Sequence, residues 1–124
     1  MWRIEYDPGD RLLTMRLREH VGLVEMRALN RAHARALEAT GGDDFRVFLD
    51  LRGLHPLDTS SAELLADMKR VALSLDGYQG RVVLVDSATV AMQQRNQTLE
   101  DGGDERELIT LEPGEADRWI GAAG

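Results

Sequence analysis

At 124 residues, 43% of them hydrophobic, the chain has apolar content for one core and not for two, so a single domain over residues 1–124 is expected. A formal charge of −7 speaks against nucleic-acid binding, because a phosphate backbone calls for a basic face, and the lack of cysteine removes disulfides, thiolate catalysis and cysteine-bound zinc. No window reaches the length of a membrane span, and Met1–Glu5 lacks the charged start and apolar middle of a signal peptide, so a cytoplasmic protein is expected.

Trp2, Ile4 and Tyr6 alternate with polar residues, as do Leu13, Met15 and Leu17 beyond Asp7-Pro8-Gly9-Asp10, which predicts an antiparallel hairpin. Pro8 presets φ at the first central turn position and Gly9 tolerates positive φ at the second, so a type II turn is expected. Val24–Thr40 carries Met26, Leu29, His33, Ala36 and Leu37 at helical spacing, and Gly41-Gly42 ends that helix. Phe45–Leu51 reads as a buried strand. A second helix follows from about Ser60 to Leu75, with Leu64, Leu65, Met68, Val71, Ala72 and Leu75 as its apolar stripe. Arg81–Val85 is a short apolar run, read as a central parallel strand, with Val83 and Val85 buried beside Val47 and Leu49. Asp86-Ser87 can cap a third helix over about Thr89–Leu99, and the acidic, glycine-containing Glu100–Glu105 is the expected mobile loop. Leu108, Ile109 and Leu111 give a last strand. Pro113 opens a final helix that turns Ala116, Trp119 and Ile120 inward before a tail of small residues. The resulting fold class is α/β: a mixed sheet of four to five strands in the order β-β-α-β-α-β-α-β-α, with helices mainly on one face.

The chemistry of the chain gathers in Asp50–Ser61, where a strand runs through a short loop into hydroxyls at a helix start. Early helical N–H groups lack partners and the dipole there is positive, so a phosphate on Ser60 would meet donors. Ser60 with Glu63 also fits a Ser-x-x-Glu capping box, which gives Ser60 a purely structural use. Asp58 suits a local Asx turn, and His55 reads as a surface histidine with no nucleophile beside it. His33 falls on the stripe of the first helix as a partly buried residue, and His20 sits at a strand end. Three scattered histidines, with Asp43-Asp44 and Asp101–Glu105 lacking calcium-loop spacing, predict no metal, and no glycine-rich loop suggests a nucleotide or other cofactor. Asp67, Lys69 and Arg70 read as a solvated helix face. Met15, Met26, Met68 and Met92 read as core or interface filler.

Val47-Phe48-Leu49-Asp50-Leu51 followed by Leu57-Asp58-Thr59-Ser60-Ser61 resembles the STAS domain, the module of bacterial anti-sigma factor antagonists (SpoIIAA-like) and of sulphate-transporter tails. In that family a strand ending in Asp-Leu leads to an Asp-Ser-Ser-Gly or Asp-Ser-Thr-Gly turn that opens a helix. By residue match Asp58 takes the motif Asp, Thr59 the first hydroxyl and Ser60 the phosphorylated residue, while Ser61 replaces the motif Gly and Arg52 stands where many antagonists carry a small polar residue. The resemblance implies a non-enzymatic protein-binding module. Its docking loop would comprise His55, Asp58, Thr59, Ser60 and Ser61, with Ser60, or Thr59 in reserve, as the phosphoacceptor. Its partner would be a switch-protein serine kinase or another regulator. Two alternatives remain open: a small-ligand or lipid carrier, with Glu100–Glu105 gating a pocket between the third helix and the sheet, and an architectural homodimer joined through an edge strand such as Trp2–Tyr6.

Overall fold

The computed structural model describes residues 1–122, which form β1 (Trp2–Asp7), β2 (Leu12–Leu17), α1 (Leu23–Ala39), β3 (Phe45–Asp50), α2 (Thr59–Leu73), β4 (Tyr78–Leu84), α3 (Ala88–Glu100), β5 (Glu107–Thr110) and α4 (Pro113–Ala122). The end of the small-residue tail, Ala123 and Gly124, lies outside the described residues. The strands follow one another across the sheet in chain order, with β1 antiparallel to β2 and every later pair parallel. Because each parallel strand is added on the same side, right-handed crossovers carry α1, α2 and α3 to one face. There Met26, Leu29, Leu65 and Met68 cover Met15, Val47, Leu49 and Val83. The chain then turns under the sheet, and α4 packs Ala116, Trp119 and Ile120 on Phe48, Val82 and Leu84 of the other face. A sheet that grows in one direction has no reversal point between its strands, so the opening that serves as a cleft lies between helices instead.

One glycine shapes the inner face. Phe45 pairs with Tyr78 while Val47 pairs with Arg81, so β4 spends one residue more than β3 between those pairs. Gly80 in this bulge holds φ at +138°, and a Cβ there would come within 2.8 Å of the Arg106 carbonyl oxygen. The bulge turns both Tyr78 and Arg81 toward the helices, although strict alternation would separate an even from an odd position.

Local readings needed correction at three places. The hairpin turn is not type II: the Asp7 carboxylate accepts from Gly9 N at 2.8 Å and Asp10 N at 3.3 Å, and the positive φ falls on Arg11 at 52°. An Asx turn satisfies these N–H groups without a left-handed glycine. The buried stripe of α2 is rotated from the one expected. Ser61, Leu65, Ala66, Met68, Lys69 and Ala72 are buried, whereas Val71 and Leu75 are exposed. The helix packs on α1 along one side and overhangs β4 on the other, which favours the face shared by Leu65 and Lys69. Among the methionines, Met92 on α3 is exposed, unlike Met15, Met26 and Met68.

Candidate functional site

The loop from Leu51 to Asp58 is fastened at both flanks. Glu19 N donates to the Gly53 carbonyl and His55 N to the Glu19 carbonyl, each at 2.8 Å, while Gly53 N donates to the Asp86 carboxylate at 2.9 Å. Below it, Asp50 is fully buried and takes a fork from Arg52, with Nε and Nη2 at 3.0 and 2.9 Å. Arg18 and Arg16 add charge at 3.7 and 4.0 Å. Burial would raise the Asp50 pKa, but the Arg52 hydrogen bonds and the Arg18 charge outweigh it, and the carboxyl is held below its ordinary range.

Asp58, not Ser60, is the N-cap of α2. Its backbone is extended and its carboxylate accepts from Ser61 N at 2.7 Å, which holds its pKa down. The expected capping box on Ser60 and Glu63 is therefore absent. Asp58 reaches the third helical N–H first, and this draws Ser60 into the helix as its second residue. Thr59 and Ser60 are exposed, as is His55. Ser61, standing where the family motif has Gly, is helical and wholly buried, and its Oγ has no hydrogen bond. The predicted docking residues thus lie on one surface, except that Ser61 points inward and serves the loop through its N–H.

A second polar group lies beneath α2. The helix packs against α1, but it diverges from α3. Between α2 and α3 opens a cavity of about 260 Å³, with Leu51, Leu65 and Val90 on its walls and Lys69 and Arg81 at its floor. Arg81 on β4 and Glu107 on β5 are register partners on the inner face. Lys69 Nζ donates to Gln97 Oε1 at 3.3 Å and to Thr98 Oγ1, and it forms an ion pair with Glu107 Oε2 at 3.0 Å. The Thr98 hydroxyl in turn donates to Glu107 Oε1 at 2.5 Å. Arg81 Nε lies 2.8 Å from Glu107 Oε2 but off the hydrogen-bond direction, so this contact is an ion pair only. Burial lowers the pKa of Lys69, and the Arg81 charge adds to that; burial also lowers Arg81.

Around this group, Tyr78 donates to Asp104 at 2.8 Å, and His33, buried under α1, is pushed down to about 4 by burial and by Arg81. Glu100–Glu105 does not line this cavity; Asp101 in that turn is held by Arg70 of α2. A second, more open hollow of about 310 Å³ lies where the carrier reading expects one, between α3 and β5, with Gly103 and Asp104 of that turn on its wall. Sequence reasoning missed Lys69, Arg81 and Glu107. The sequence places Lys69 beside Asp67 and Arg70, whose pairing at 2.7 Å is solvated, but Lys69 itself is buried. A signal existed: Lys69 is the only lysine among fifteen basic residues and falls four residues after Leu65 on the buried face. Among the described residues no group of three histidine or acidic side chains is placed to hold a metal.

The arrangement of one antiparallel and three parallel pairings, with a hydroxyl turn opening the second helix, is a SpoIIAA-like fold. Among solved structures, an uncharacterized DUF3478-family protein from Shewanella loihica PV-4, described as having a SpoIIAA-like fold, superposes with a TM-score of 0.69. It is 13% identical, and the match covers 97% of this chain and 92% of that one. No protein-family model and no curated protein matches the sequence. No helix is long and apolar enough to cross a membrane among the described residues.

Proposed function

We propose that this chain is a non-enzymatic regulatory module of the cytoplasm that docks on a protein partner through His55–Ser60 and the first turn of α2, and that phosphorylation of Ser60, or of Thr59, releases it. The observation that carries this reading is the pair of exposed hydroxyls at the first two positions of a 15-residue helix, on a loop pinned by Glu19 and Asp86. A phosphate adds about 1.5–2 negative charges. It would meet the positive end of the helix, compete with Asp58 for the Ser61 N–H and place repulsion on the docking face. A serine kinase or other regulator is the partner this chemistry suits.

The test is phosphopeptide mapping of native protein from growing and starved cells, joined to partner capture with Ser60→Asp, Ser60→Asn and Ser60→Ala. Phosphate at Ser60 or Thr59, with capture weakened by Asp and kept by Asn and Ala, supports the reading. Equal capture by all three, with no phosphate at either residue, removes the switch.

A further inference from the structure

We infer that the cleft between α2 and α3 binds a small monocarboxylic acid with an apolar body, its carboxylate seated on the terminal guanidinium nitrogens of Arg81 and its body lying against Leu54, Leu57, Leu65 and Val90. Charge points to it first. Lys69 and Arg81 are both 5% exposed and face one buried carboxylate, Glu107. The nearby acids are otherwise engaged, Asp101 with Arg70 and Asp104 with Arg106 and Tyr78. One positive charge is left over at the cleft floor, and no Asp or Glu lines the cavity in a chain with 22 acidic residues. A monoanion balances that excess, whereas a phosphate dianion would overshoot it.

Hydrogen bonding points the same way. Lys69 is held by Gln97, Thr98 and Glu107, whereas among the described residues no hydrogen bond is made by the terminal nitrogens of Arg81, and its Nε is buried without one. A buried guanidinium with unused donors is costly, and its planar fork matches a carboxylate. Size sets the rest of the ligand. About 260 Å³ falls just below the ~300–1,000 Å³ of sites for drug-sized ligands, so one short apolar body fits and a two-chain lipid does not. The Gln93 and Gln94 amides stand at the mouth as uncharged polar groups. The cleft shares His55 and Leu57 with the proposed docking segment, but it is argued from Lys69, Arg81 and Glu107 rather than from the hydroxyls, so either reading can fail alone.

Octanoate is the probe and 1-octanol its uncharged counterpart, titrated into the intact protein by calorimetry and by amide NMR. Octanoate should bind saturably, shift the amides of Leu54, Leu57, Ala62–Lys69 and Gln93–Gln97, and bind at least about tenfold more tightly than octanol. Arg81→Met leaves Lys69 and Glu107 balanced and should weaken octanoate about tenfold or more while leaving octanol unchanged. Gln93→Glu puts a carboxylate at the mouth without disturbing the buried group; it should also weaken octanoate alone, and it decides the matter if Arg81→Met does not fold. Arg31→Gln, on the exposed side of α1, controls for net charge and should change neither ligand. No saturable binding of octanoate, shifts elsewhere in the protein, or equal affinity for octanol would each overturn the inference.

Discussion

Two buried polar groups flank β3 and β4, and they are built in opposite ways. Asp50 is one buried carboxylate surrounded by Arg16, Arg18 and Arg52, all with roughly half of their side chains in water. Its oxygens are filled by the Arg52 fork, and each arginine can return to solvent. In the second group the charges of both signs, Lys69, Arg81 and Glu107, are buried, with cations outnumbering the anion and with Arg81 Nε and Glu107 Oε2 lacking hydrogen bonds. The first is a strut that fixes the Asp50–Gly53 corner under the loop that leads into α2. The second has charge and donors to spare, as a binding site does and a strut does not.

The largest expected effect breaks the second group. Glu107→Gln leaves two cations facing each other in the dry interior, and by the usual cost of breaking a buried pair it should lower stability by about 3–5 kcal/mol in urea unfolding. Arg81→Met, which leaves a one-to-one pair, should cost much less. Should the two variants be equally damaging, the excess positive charge assigned to this group is wrong.

His33 samples the same region by pH. Its pKa is depressed from 6.5 to about 4 by burial, with the Arg81 charge second. The unfolded chain therefore takes up a proton that the folded chain refuses. Stability is unaffected above pH 6.5, falls as the pH drops from 6.5 toward 4, and the loss is complete below that, at about 3 kcal/mol. His33→Leu should flatten the stability curve across that window, and a curve with the same slope in both proteins would show that another group titrates there.

Asp50→Asn should cost about 1–3 kcal/mol, less than Glu107→Gln, because the arginines it abandons are already half in water. Its pH signature also differs. The Asp50 carboxyl is held below its ordinary 3.8, so its contribution is intact above that pH and is lost only in stronger acid. If Asp50→Asn proved the more damaging change, the contrast between the two groups would fail.

Much of the fold was legible because its signals are local. Period-two runs marked β1 and β2, Gly41-Gly42 with φ of 62° and 84° closed α1 as expected, and Ser87 caps α3 by accepting from Val90 N. The Asp50–Ser61 corner was legible too, since a strand, a loop and a run of hydroxyls are contiguous in the chain. The charged cleft was not, because its parts come from four elements: Lys69 on α2, Arg81 on β4, Thr98 on α3 and Glu107 on β5. Placing Arg81 on the inner face together with Tyr78 further depends on the bulge at Gly80, which alternation alone contradicts. The misread α2 stripe has the same cause. Val71 and Lys69 compete for burial by hydrophobicity, and Lys69 prevails only because Glu107 lies beneath it.

The smallest effects decide what the hydroxyl turn is for. Asp58 supplies the cap, so Asp58→Ala should cost about 0.5–2 kcal/mol, whereas Ser60→Ala and Thr59→Ala, which remove exposed hydroxyls from inside the first turn, should stay within about 0.5 kcal/mol. A capping box on Ser60 would give the reverse order, and the 2.7 Å contact from Ser61 N to Asp58 argues against it. Three thermal or urea unfolding curves separate these cases. If Ser60→Ala is as damaging as Asp58→Ala, the serine has a structural use that constrains it. If it is neutral, the Ser60 hydroxyl contributes nothing measurable to stability, and any loss of partner capture in Ser60→Asp reports on the docking face rather than on a frayed helix.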